Sequence, residues 1–345
     1  MVPSPPAPSD VPLEDAPSRV IAALILVGVL ALATVAWIFD SNEDARTSRP
    51  ESIETAAHWV RARFAAGDGV VTTPAWERGV FETLRGAGPG TEQFPFPALI
   101  VGEDPDPMTL LRMKRLWVIG AHGRPPTLPK VIEGLGVEEV QHSIDDGVTV
   151  ARFGLETLTP MRSLTADFST IVVERIGEAG ARLCTSGRSR HRCGMKPWFD
   201  PHLEVRNVGR QEVEWIYTHP GQDGEPLRMT WKNAATSGWL VLRAGFTQAA
   251  VRHPDGGVTE VSVQIGDRIA RLTLEPRKYG LGRIAIPLDT AADGHPPDVR
   301  IELRAQEHQW REVMMEADIV EALPKAVRTW LGGTIGTVAG DVVSD

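Results

Sequence analysis

The sequence predicts an α+β multidomain protein with one transmembrane helix, a small α/β (Rossmann-like) lobe and then an all-β jelly-roll-like sandwich. Three observations predict it. An uncharged apolar run, Val20 to Phe39, is long enough to cross a bilayer. From Arg49 to about Ala151, helix-like and strand-like stretches alternate at short intervals, the pattern of a small parallel sheet. From about Ser169, short runs rich in Val, Ile, Leu and Trp recur between Gly, Pro, Asp and Asn. A chain of 345 residues, 42% hydrophobic and 23% charged, can bury two ordinary cores. Its formal net charge of −9 offers no basic field for phosphates, so nucleic acid is not an expected partner.

Residues 1–19 carry Pro3, Pro5, Pro6, Pro8, Pro12 and Pro17 and are expected to stay extended and solvated. Residues 20–39 follow as the membrane anchor, bounded by Arg19 and Asp40, with Trp37 at interface depth. A cleaved signal peptide competes, since Ala31, Ala33 and Ala36 offer small-residue sites, but the apolar run exceeds the usual length. Residues 40–49 form a linker. Arg19 before the span and Arg46 and Arg49 after it leave orientation undecided by charge. Cys184 and Cys193, the only cysteines, flank a Gly/Ser-rich loop and favour a disulfide, hence an oxidising compartment and an extracytoplasmic body at the inner membrane. Free thiols, or a metal site shared with His191, are the other readings; the metal reading lacks a fourth ligand at standard spacing, and no cofactor or metal is expected.

The α/β domain is placed at 50–155. Pro50 to Ala66 reads as a helix, because Ile53, Ala56, Ala57, Val60 and Phe64 share one face and Pro50 suits the first turn. Strands are expected at Gly69 to Thr73, Pro97 to Gly102 and Leu116 to Ala121, with helices at Trp76 to Leu84 and Met108 to Lys114. Pieces near Val137 to Val140 and Val148 to Phe153 complete the sheet. Ligands of open parallel sheets sit beyond the carboxyl ends of the strands, which singles out a crevice of Thr73, Trp76, Glu103, Asp104 and His122. Each also has a plain structural reading as a turn or loop residue, and Asp106 before Pro107 suits a helix N-cap.

The β-sandwich domain is placed at 169–320, with about ten strands ending at Glu312 to Asp318, and 325–345 as a tail that begins as a possible helix. Ten tryptophans against two tyrosines make indole platforms worth locating. Trp198, Trp239 and Trp310 are the expected exposed, ligand-binding ones; Trp215 and Trp231 lie mid-strand and suit a core.

Cys193, Trp198, EWIYTHP at Glu214 to Pro220, PLRMTW from Pro226, AGF around Gly245 and VSVQIGD from Val261 follow one another in an order that resembles the soluble extracytoplasmic region of bacterial membrane glycosyltransferases of the dolichyl-phosphate mannosyltransferase type. In that family such a sandwich follows an α/β lobe similar to AAHWVRARFAAGDGVVTTPAWERGV here. The resemblance spans roughly residues 50–320 and implies a role in envelope glycan synthesis or recognition. The multi-span catalytic part has no counterpart in this chain, so no catalytic residue carries over.

No GxSxG, HExxH, GxGxxG after the first strand or GxxxxGK[ST] occurs. The expected function is a single-pass, membrane-anchored binding or accessory protein whose sandwich holds a glycan or a glycan-synthesis partner. The alternatives are a hydrolase or glycosyl transferase using the α/β crevice, and a structural subunit of an envelope complex.

Overall fold

The computed structural model describes residues 25–34, 48–75, 77, 79–85, 98, 100, 105–194, 196–209, 211–220, 225–253, 257–278, 280–289, 295–305 and 311–331. Of the expected span, 25–34 form an exposed helix, α1; the remainder of the span, the tail before it and residues 40–47 lie outside the described residues. Among the described residues no helix is long and apolar enough to cross a membrane.

Helix α2 (Pro50–Arg61) buries Ile53, Ala56, Ala57 and Val60, the face its periodicity predicts. Strands β1 (Asp68–Thr73) and β2 (Arg115–Gly120) pair in parallel. The backbone at Ala98 and Ile100 bonds Val70 on the other side of β1 in parallel fashion. Beyond β2 the sheet turns antiparallel through β4 (Thr149–Leu155) and β3 (Gly136–Ser143). Helix α3 (Gly79–Arg85) joins α2 over one face, where Val70, Trp117, Ile119 and Val150 meet Val60, Val80 and Leu84. The expected helix at Met108 to Lys114 contracts to α4 (Pro107–Leu110), capped by Asp106.

A Rossmann-like lobe would cover its second face with helices as well. Here Val71, Leu116, Val118, Ala151 and Phe153 on that face enter one core with Val241, Ala285 and Val320 of the sandwich, closed by α6 (Lys325–Leu331) through Val327 and Leu331. A sandwich sheet replaces the second helix layer, so the stack runs helices, lobe sheet, sheet, sheet. The possible helix of the C-terminal segment is thus a packed element, while 332–345 lie outside the described residues.

One sandwich sheet runs β13 (Arg268–Leu274), β12 (Thr259–Ile265), β15 (Val299–Ala305), β10 (Leu227–Trp231), β6 (Val172–Gly177), β7 (Gly180–Leu183). The other runs β14 (Gly282–Asp289), β11 (Ser237–Phe246), β16 (Val313–Val320), β9 (Gln211–Thr218), β8 (His202–Val208), with β5 (Arg162–Ser163) pairing β16. Helix α5 (Gln248–Arg252) follows β11. Strict alternation fills the interior, with Val261, Val263 and Ile265 facing Leu240, Leu242, Ile284 and Ile286. The Cys184–Cys193 disulfide forms at the rim of this core, with both sulfurs buried. His191 Nε2 donates to the Phe168 carbonyl (2.8 Å), and burial lowers the pKa of its ring. Among the described residues no group suited to a metal ion occurs.

Candidate functional site

The lobe-facing surface of β11 and β16 carries charges inside otherwise apolar strands. Period-two alternation places Arg243 of LVLRAGF and Glu316 and Asp318 of VMMEADIV on the same face, where the lobe buries all three completely. Arg243 spans two carboxylates, donating Nη2 to Asp318 (2.7 Å) and Nη1 to Asp106, whose Oδ2 also accepts from Thr109 Oγ1 (2.9 Å). Arg112 pairs with the other oxygen of Asp318. Glu316 Oε1 accepts from Ser163 Oγ (3.1 Å), Thr165 N (3.3 Å) and Ala317 N (3.0 Å), while its Oε2 has no hydrogen-bond partner. Burial, then the neighbouring Asp318 charge, push the Glu316 carboxyl up to about 7 against the opposing pull of Arg112 and Arg243. Three carboxyls thus meet two guanidiniums at the interface, and protonating Glu316 balances the charge.

Directly above this cluster a cleft opens. β9 pairs β16 only from Thr218↔Val313 to Ile216↔Met315, after which β9 diverges and β16 continues against β5. The gap is a cavity of about 410 Å³ between the two lobes. Its sandwich wall is Glu212, Val213, Glu214, Trp215 and Thr165; its lobe wall includes Gly67, Asp68, Thr109, Arg112 and Met113. Gly67, at φ +89, turns the chain into β1 at this rim, a conformation only glycine adopts without strain. Asp68 is saturated by Arg115 (2.8 and 3.0 Å), Trp117 Nε1 (2.9 Å) and Ala65 N (3.1 Å). Trp215 is 4% exposed and has Arg243 over its ring at 5.1 Å, so it offers the cleft only part of its indole.

The cleft lies at the amino ends of β1 and β2. At the carboxyl ends, the expected crevice is divided: Thr73 and His122 are described, whereas Trp76, Glu103 and Asp104 lie outside the described residues. His122 Nδ1 accepts from Ser48 N (2.9 Å), so Nε2 donates to Glu77 (2.8 Å). Ser48 Oγ accepts from His122 N (2.7 Å) and donates to the Asp146 carbonyl (3.0 Å), while Ser52 bonds the Asp146 carboxylate (3.0 Å). The serine hydroxyls are thereby engaged with Asp146, and His122 ties the incoming chain at Ser48 to the lobe.

Of the expected indole platforms, Trp198 is 53% exposed, with Lys196 over its ring at 5.1 Å. Trp239 is half-buried: it pairs with Val320 and Pro287 in the sheet and packs against the core between the lobes. Trp310 lies outside the described residues. Trp231 is core, its Nε1 donating to Asp167 (2.9 Å).

No family model and no curated protein sequence matches this chain. Among solved structures, a CBM35 module from Cellvibrio japonicus Abf62 aligns at 12% identity over 35% of this chain and 83% of that one, with a TM-score of 0.23. The CBM51-2 and INT domains from Clostridium perfringens ZmpB, in complex with GlcNAc, align at 8% over 54% of this chain and 41% of that one, with a TM-score of 0.27. A carbohydrate-binding module CBM36, in complex with calcium and xylotriose, aligns at 11% over 31% and 77%, with a TM-score of 0.18. Likenesses of this size assign neither ligand nor activity, and the functional reading rests on the chain's own geometry.

Proposed function

We propose that this chain is a membrane-tethered, extracytoplasmic binding protein that holds a glycan in the cleft between its α/β lobe and its β-sandwich. The observation that carries the reading is the cleft itself: a cavity of saccharide size whose walls offer an indole edge and apolar side chains beside carboxylate, guanidinium and hydroxyl groups. Such a mixture suits the C–H face and the hydroxyl edge of a sugar ring. The Cys184–Cys193 disulfide supports an oxidising compartment, and the apolar run at 20–39 supports the tether. Ser48 fixes the incoming chain at the carboxyl end of the lobe sheet, so the cleft lies at the far end, about 20 Å away along the six residues of β1. The resemblance to glycosyltransferase extracytoplasmic regions makes an accessory role in envelope glycan synthesis the natural setting.

The test is a glycan-array screen of the detergent-solubilised full chain beside two variants. Ala66→Trp places an indole in the cleft from an exposed position, and Trp198→Ala removes the exposed surface indole. The reading expects Ala66→Trp to abolish array binding and Trp198→Ala to preserve it. Loss confined to Trp198→Ala would transfer the site to the sandwich surface and refute the cleft.

A further inference from the structure

We propose that the disulfide-closed loop from Thr185 to Arg192 is a docking surface, separate from the cleft, for a linear acidic polysaccharide whose carboxylate or sulfate groups pair with Arg188, Arg190 and Arg192. The inference goes beyond the cleft reading and does not depend on it.

The chain's net charge of −9 is unevenly spread: between Glu178 and Asp200 the sequence holds five Lys or Arg residues and no acidic one. The fold brings three of them onto one short exposed strip. His191 and Cys193 point into the protein, so alternation turns Arg190 and Arg192 outward, with their Cα atoms about 7 Å apart, and Arg188 sits at the exposed bend that precedes them. Gly187 permits that bend, because a Cβ there would lie 2.6 Å from the Arg190 carbonyl oxygen. The strip is fixed before any partner arrives. Besides the Cys184–Cys193 disulfide, Thr185 and Arg192 exchange backbone hydrogen bonds (2.8 and 2.9 Å), His191 N donates to the Pro201 carbonyl (2.9 Å) and Ser186 Oγ to the Ser169 carbonyl (2.6 Å). The guanidiniums themselves are nearly unused: Arg190 gives one N–H to the Pro197 carbonyl (2.8 Å), and Arg188 and Arg192 have no side-chain partner among the described residues. The flanking acids are committed elsewhere, Asp200 to Cys193 N (2.9 Å), Glu204 to Arg206 (2.8 Å) and Glu225 to Arg182 (3.8 Å). Guanidinium forks fit planar or tetrahedral oxyanions with paired N–H donors. Each exposed contact is weak alone, so appreciable affinity needs one chain that spans all three, which favours a polymer over a short saccharide. A single file of guanidiniums suits a flexible linear chain, whereas an anionic bilayer is a plane and meets the repulsion of the whole acidic surface. The oxidising compartment that the disulfide supports favours a glycan over nucleic acid.

The experiment is the fluorescence anisotropy of labelled alginate with the full chain held in nanodiscs of neutral lipid, in competition with unlabelled alginate, neutral dextran, poly(U) and vesicles containing phosphatidylglycerol. The expected result is saturable binding that weakens as salt rises from about 0.05 to 0.5 M and that alginate, but not dextran, displaces. Arg188→Gln with Arg192→Gln, two substitutions at exposed positions, should weaken it about tenfold. Arg271→Gln with Arg300→Gln removes the same charge from β13 and β15 and should change it by less than about twofold. Equal weakening by the two pairs would reduce the effect to net charge and overturn the strip, and unmeasurable binding of alginate would overturn the inference outright. Displacement by poly(U), or by the phosphatidylglycerol vesicles, at a lower concentration of anionic groups than alginate requires would overturn it in favour of nucleic acid or of a membrane surface.

Discussion

Glu316→Gln is the perturbation whose outcome follows most directly from the geometry. The wild-type carboxyl is fully buried, and its pKa moves from an ordinary 4.5 to about 7 on folding. Because the folded value is the higher one, folding takes up a proton across this window. The stabilising contribution is complete below about 4.5 and is lost as pH rises through about 7. At about 1.4 kcal/mol per pKa unit, the loss amounts to roughly 3 kcal/mol by pH 8. Glutamine keeps the shape and the acceptor used by Ser163, Thr165 and Ala317, and it has no charge to develop. The assay is urea unfolding of both proteins at half-unit steps from pH 4.5 to 8.5. The wild type should lose roughly 3 kcal/mol relative to Glu316→Gln over that range, most steeply between 5 and 7. Parallel pH profiles would refute the reasoning, because they would mean that Glu316 is solvated or ionised in the folded state.

Arg243→Met should cost about 3–5 kcal/mol at neutral pH, because it leaves Asp106 and Asp318 buried without their shared partner; adding Asp106→Asn should recover part of that loss in a thermal melt. Reduction of Cys184–Cys193, which closes a loop of sequence separation 9, should cost about 2–3 kcal/mol, read as a lower melting temperature with reductant in wild type and no change in a Cys184→Ser, Cys193→Ser protein. Trp231→Ala should cost about 3–5 kcal/mol, since Trp231 is 1% exposed, while Trp198→Ala should cost under about 0.5 kcal/mol; comparable losses would contradict the burial assignment.

What was legible in the sequence was local and periodic. The strands Leu227–Trp231, Thr259–Ile265 and Arg268–Leu274 are of this kind, because alternation and turn residues delimit them without help from tertiary contacts. Asp106 was readable as an N-cap for the same reason. Its ion pair with Arg243 was not, since 137 positions separate the two and only the packing of lobe against sandwich brings them together. A signal did exist: Arg243, Glu316 and Asp318 interrupt strands that are otherwise apolar on both faces, and a charge in such a strand calls for a buried partner. The crevice expectation followed the rule for doubly wound sheets, which presumes helices on both faces. Here the second face is covered by β11 and β16, and a cavity opens at the amino ends of the strands.

The central claim is that ligand sits between the lobes. Hydrogen–deuterium exchange of the full chain, with and without the tightest saccharide from the array, tests it most directly. The account predicts added protection in residues 65–68, 109–113 and 211–215, which come from three separate parts of the chain and converge only at the cleft. Protection confined to residues 196–199 around Trp198, with those three segments unchanged, would contradict it.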